Sequence, residues 1–155
     1  PVETVKAMSK IIVQAEKDMN SIEETGRALT AEIRNNVSDA IGHAACTMAE
    51  HIKAAALVAV TASGYTAQKM SKFRPKQPIF AVTSSMNTYN NMSLVRGVYP
   101  VLIERNSVWK PMYEAAMKKI SRDFSFSSGD HIIVSAGIPI NIEGNTNMIK
   151  VETVE

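Results

Sequence analysis

The sequence predicts an α/β fold: a three-layer α/β/α arrangement with a mainly parallel sheet of about five strands and one antiparallel edge strand. Three observations carry this prediction. From Ala54 onward, short apolar runs alternate with stretches repeating at helical spacing, the pattern of strand–helix–strand units. The first two runs both end in hydroxyl residues, Val60-Thr61-Ala62-Ser63 and Val82-Thr83-Ser84-Ser85, as strands feeding helices do. The last run follows its predecessor through a loop without a helical repeat. It is expected to pair antiparallel, because parallel neighbours need a long crossover.

The elements follow in order. Val5, Met8, Ile12, Ala15 and Met19 recur at helical steps and put one apolar stripe on a first helix. The polar stretch Asn20 to Arg27 interrupts it, with Gly26 as the breaker. Thr30 is placed to cap a second helix, and Glu32 suits its first turn. Ile33, Val37, Ile41, Ala44, Met48 and Ile52 form that helix's expected apolar face, and its many alanines point to close packing. Leu57 to Thr61 reads as a buried strand, and Ser63-Gly64 leads into a helix through Ala67, Met70 and Phe73. Arg74-Pro75 ends it, since proline cannot continue the hydrogen-bond ladder. Ile79 to Thr83 is a second buried strand, Met86 to Leu94 a short helix, and Gly97 turns the chain into a third strand, Val98 to Ile103. Trp109, Met112, Ala116, Met117 and Ile120 mark another amphipathic helix. Ser128-Gly129-Asp130 turns into strand His131 to Ser135, Gly137 to Asn145 is a loop, and Met148 to Val154 alternates as the final edge strand.

The 155 residues suit a single domain spanning 1–155. With 45% hydrophobic and 21% charged residues, a packed core is expected and disorder is not. A net charge of +2 argues against nucleic acid, which needs a concentrated basic stripe. Lys118-Lys119 and Lys72 to Lys76 are short clusters that read as solvated faces. Cys46 is the only cysteine, which excludes an intrachain disulfide and fits a reducing, cytoplasmic setting. The longest apolar stretch, Ala54 to Val60, is too short to span a bilayer, and no signal peptide is read. The start at Pro1 instead of Met reads as a piece excised from a longer chain.

In an open α/β sheet, ligands collect outside the carboxyl ends of the strands. Thr61, Ser63, Gly64, Tyr65 and Thr66 are expected there. Gly64 lets a phosphate approach the backbone, the hydroxyls of Thr61, Ser63 and Thr66 donate, and the following helix offers unpaired N–H groups. A plain helix cap explains the same residues, so both readings stand. The segment is not a P-loop, because GxxxxGK[ST] is absent. His43 and Cys46, three apart, would be reactive only if exposed, and two core residues are the plainer reading. His51 and His131 show no metal-ligand spacing, and no catalytic or metal constellation is found.

Several ordered motifs resemble one family. Pro1-Val2-Glu3-Thr4-Val5 with Met8 is similar to the stretch where pyruvate kinases leave their barrel for the C-terminal domain. Thr61 to Ala67, Ser71-Lys72-Phe73-Arg74-Pro75 and Pro78 to Thr83 follow that domain's central motif. Leu94-Val95-Arg96-Gly97-Val98-Tyr99-Pro100, Gly129-Asp130, Ala136-Gly137-Ile138-Pro139 and Gly144 to Val151 match its remaining strands. The resemblance covers essentially the whole chain. It implies the allosteric and assembly domain of a cytoplasmic glycolytic enzyme, self-associating as a dimer here and a tetramer in the full enzyme. That enzyme moves a phosphoryl group between phosphoenolpyruvate and ADP with Mg²⁺ and K⁺, in a barrel absent from this chain, so this chain alone is expected to be inactive. No cofactor is implied for this domain. The resemblance makes Thr61 to Thr66 an effector-phosphate loop and Gly144-Asn145-Thr146 a second loop closing over the effector. The sequence departs from the family where Tyr65 replaces a basic residue of many relatives and Asn90 an arginine; Met112 falls near another arginine position. Each loss removes a charge-assisted contact, so a mono-phosphate effector, or none, fits better than a bisphosphate. Two further readings stand beside this one: a stand-alone, non-enzymatic homologue binding a small phosphorylated ligand, and an independent enzyme using His43 and Cys46.

Overall fold

The computed structural model describes residues 1–19, 36–105, 108–138 and 144–154. The chain divides into two compact units, Pro1–Arg34 and Asn35–Glu155. The described part of the first is helix α1, Val2–Met19. Of its predicted stripe, Val5, Met8 and Ile12 are each more than half accessible. The breaker at Gly26 and the cap at Thr30, with Glu32 and Ile33, lie outside the described residues.

The second unit opens with α2, Val37–His51, capped by Asn36, whose side chain accepts from the N–H groups of Ser38 and Asp39. Then follow β1 (Ala56–Val60), α3 (Tyr65–Lys72), β2 (Ile79–Thr83), α4 (Met86–Met92), β3 (Val98–Leu102), α5 (Trp109–Asp123), β4 (His131–Ala136) and β5 (Met148–Thr153). The five strands form one sheet in the order β3-β2-β1-β4-β5. All neighbours are parallel except β4 and β5, which run antiparallel as predicted.

Strands that are apolar at every position specify a sheet covered on both faces, and alternation divides their side chains between two cores. Leu57, Ala59, Ile79, Ala81 and Ile133 pack with Ala45, Cys46 and Ala49 of α2, Ala67 and Met70 of α3, and Met92 of α4. Ala56, Val58, Phe80, Val82, Ile132 and Val134 pack on the opposite face with Met112, Ala116 and Ile120 of α5.

Two expectations about α2 need correction. Asn36 has an extended backbone, so no helix runs unbroken from Thr30 to Ile52. The buried face is also rotated from the predicted one. Ser38, Gly42, Ala45, Cys46 and Ala49 are buried, whereas Val37 and Ile52 are exposed. The cause is proximity: a Cβ added at Gly42 would lie 3.5 Å from Cβ of Lys69 on α3. Helices this close need small side chains between them, and the larger ones turn outward.

That contact makes a prediction. Gly42→Ala fills ordinary van der Waals space and should stabilise the fold by about 0.5–1 kcal/mol through helix propensity. Gly42→Leu should cost about 1–3 kcal/mol by forcing α2 from α3. Urea unfolding of both variants checks the pair; equal effects would refute close packing here.

Candidate functional site

Parallel pairing brings the carboxyl ends of β1, β2 and β4 to one edge of the sheet. After β1, the Thr61 N–H donates to the carbonyl of Val82, 2.9 Å away, while the Thr61 hydroxyl accepts from the Gly64 N–H, also at 2.9 Å. Gly64 is the N-cap of α3 with φ +87°, a conformation glycine adopts without strain. A Cβ there would also meet the Met92 side chain at 2.6 Å. No side chain caps α3. The N–H groups of Tyr65, Thr66 and Ala67 therefore find no acceptor among the described residues, leaving a partial positive charge on that turn.

The echo in the second turn resolves differently. Thr83 Oγ1 accepts from the Ser85 N–H at 3.2 Å, and Ser85 Oγ caps α4 by accepting from the Thr88 N–H at 3.2 Å. The plain-cap reading holds for β2–α4, and the first turn of α3 is the one left without a cap.

Among the predicted loop residues, Thr66 and Thr146, eighty positions apart in the chain, meet through their hydroxyls at 2.6 Å, both buried. Ser38 Oγ donates to the carbonyl of Gly144 at 3.1 Å and so pins the same segment to α2. Asn147 braces it from behind, accepting from the Ile138 N–H at 2.8 Å and donating to the Ile138 carbonyl at 2.7 Å. Asn145 also donates to that carbonyl, at 3.2 Å. Residues 144–146 thus lie against the first turn of α3.

The remaining predicted residues do other things. Tyr65 turns toward α2, its Oη accepting from Asn36 Nδ2 at 3.0 Å. The Lys69 ammonium sits 4.9 Å above the Tyr65 ring and 2.7 Å from Asp39 Oδ1. The Asp39 carboxylate raises the Lys69 pKa above its ordinary range, so this cation is committed. Ser63 is exposed and lines a cavity on the β2 side of the turn. Met112 is buried in the α5 core, and Asn90 is exposed on α4. The sequence reading missed Asn36 and Ser38; both precede or begin a helix, the position where capping residues are sought.

His43 and Cys46 make no reactive pair. Cys46 Sγ approaches the Met70 carbonyl at 3.6 Å, and burial pushes its thiol pKa up to about 12, far from the thiolate form a nucleophile needs. The His43 ring packs edge-on against Phe73, centroids 5.1 Å apart. Among the described residues no three His, Cys, Asp or Glu side chains converge as metal ligands. No helix among them is long and apolar enough to cross a membrane.

Comparison with known proteins places this architecture in a family. The model described as "Pyruvate kinase, alpha/beta domain" matches residues 39–152. The chain is 34% identical to a pyruvate kinase of Clostridium acetobutylicum over 155 residues, covering 100% of this chain and 33% of that protein. It is 35% identical to a pyruvate kinase of Thermotoga maritima, covering 100% of this chain and 32% of the relative. With "Pyruvate kinase 2" of Synechocystis the identity is 34%, over 100% of this chain and 25% of the relative. This chain belongs to the pyruvate kinase α/β-domain family, and it spans a quarter to a third of these relatives' length.

The paired hydroxyls are testable. Thr66→Val and Thr146→Val each leave one buried hydroxyl without its partner and should cost about 1–3 kcal/mol. The double variant should lose less than the sum, with a coupling of about 0.5–3 kcal/mol. Strict additivity in denaturant titrations would mean that the two segments do not depend on each other.

Proposed function

We propose that this chain is the allosteric effector-binding and tetramer-assembly domain of a pyruvate kinase. Its parent enzyme transfers phosphoryl between phosphoenolpyruvate and ADP, with Mg²⁺ and K⁺ held in a separate catalytic barrel. Among the described residues of this domain no three His, Cys, Asp or Glu side chains converge to hold a divalent cation. Its own task is recognition.

One observation carries the reading: the uncapped first turn of α3, with Ser63 and Gly64 before it and residues 144–146 against it. A phosphate there supplies the missing cap to the N–H groups of residues 65–67, and the helix dipole favours its charge. Thr61 and Thr66 brace the turn through the Gly64 N–H and the Thr146 hydroxyl, and the Thr61 O–H, used there only as an acceptor, can still donate to the ligand. Ser63 keeps an exposed hydroxyl for the ligand. With Lys69 committed to Asp39 and no arginine at positions 65, 90 or 112, a monophosphate suits the site better than a bisphosphate.

Assembly is supported by apolar surface left outward. Val5, Met8 and Ile12 of α1 and Val37 of α2 are all more than half exposed. Among the described residues, β5 pairs on one side only and offers a free edge. The chain is expected to dimerise through these elements; light scattering that gives a monomer mass at high concentration would exclude it.

The effector reading is tested by thermal shift with ribose 5-phosphate, glucose 6-phosphate, AMP, inorganic phosphate and fructose 1,6-bisphosphate. A saturable rise of the midpoint with one monophosphate is expected, as ligand binding to the native state requires. Ser63→Asp should abolish that rise without loss of basal stability, since its carboxylate suits the same helix terminus. No shift with any compound would reduce the loop to a structural turn.

A further inference from the structure

We infer that the cavity between the β1–α3 and β2–α4 turns is a second ligand site, built for a small hydroxylated ligand carrying a single oxyanionic group. The cavity is about 490 Å³, within the range of small-molecule sites. Three separate segments wall it: Ala62-Ser63 after β1, Ser84 to Asn91 after β2, and Arg105 beyond β3. Residues 65–67 and 144–146 do not line it. It shares only Ser63 with the phosphate reading of α3 and stands independently of that reading.

Its walls are braced before any ligand arrives. Thr88 Oγ1 donates to the Ala62 carbonyl at 2.7 Å and ties one turn to the other. Ser85 Oγ is held as the α4 cap. The remaining polar side chains, those of Ser63, Ser84, Asn87, Asn91 and Arg105, have no hydrogen-bond or ion-pair partner among the described residues. Rigid neighbours around unengaged groups are the arrangement that lowers the ordering cost of binding.

The lining also selects the chemistry. Among the described residues of its lining, Arg105 is the one that carries a charge, so one oxyanion is matched and a second is not. A guanidinium takes a carboxylate or a phosphate in bidentate fashion. Serine hydroxyls and asparagine amides both donate and accept, which suits the alcohol groups of a polyol better than an apolar body. The shared feature of the ligand is one oxyanion on a hydroxylated carbon chain, whether a sugar acid or a sugar phosphate.

The test uses ¹H–¹⁵N correlation spectra of the chain titrated with gluconate and, in a parallel arm, ribose 5-phosphate. Gluconate, which carries no phosphate, should perturb the amides of Ser84, Asn87, Asn91 and Arg105 in a saturable way. If both compounds do so, the site reads an oxyanion of either kind; if ribose 5-phosphate alone does, it reads phosphate. Arg105→Gln, an exposed and fold-neutral change, should weaken this binding roughly tenfold or more, the worth of one charged hydrogen-bonded contact. Asn91→Ala should weaken it further. Phosphate-dependent shifts at residues 65–67 should persist in Arg105→Gln, so failure of one site is separable from failure of the other. Absence of perturbation at these residues with both probes, or equal affinity in Arg105→Gln, would overturn the proposal.

Discussion

The parallel pairing of β1 with both β2 and β4 is the constraint from which the rest of the second unit follows. Parallel strands cannot be joined by a hairpin, so each link must cross over a face of the sheet. The crossovers cover both faces, which is why β1 and β2 are apolar at nearly every position and divide their side chains between two cores. They also force every strand of that group to end at the same edge. Turns twenty or more residues apart in sequence, after Val60 and after Val82, become neighbours there and are laced together by Thr88 and Ala62.

At that edge the two turns differ by one cap. Ser85 satisfies the start of α4, whereas Gly64, having no side chain, leaves the start of α3 open. The positive φ at Gly64 and the Met92 side chain behind it oppose a capping serine in its place. Backbone geometry thus preserves an electropositive helix end that ordinary helix chemistry would have neutralised.

The Thr66–Thr146 contact joins this turn to the segment after β4. Both hydroxyls are buried, so each needs the other, and a change at either segment is felt at both. The Ser38–Gly144 bond extends the connection to α2. A ligand at the first turn of α3 would therefore meet a surface made by three elements.

The strands, their order of appearance and the antiparallel last pair were legible in the sequence, because apolar runs of strand length between helical repeats admit few arrangements. The motifs from Thr61 to Pro75 and from Gly144 to Val151 pointed to the family as well. The buried face of α2 was not legible. Periodicity selects the largest apolar side chains, and here a helix–helix approach at Gly42 demands the smallest. Nor could residue types say which hydroxyls are drawn into contacts within the fold: Thr61 and Thr66 read the same as Ser63 along the chain. Composition and period are local properties that the sequence carries by itself. Which polar groups find partners depends on segments far apart in the chain, so tertiary packing alone decided it.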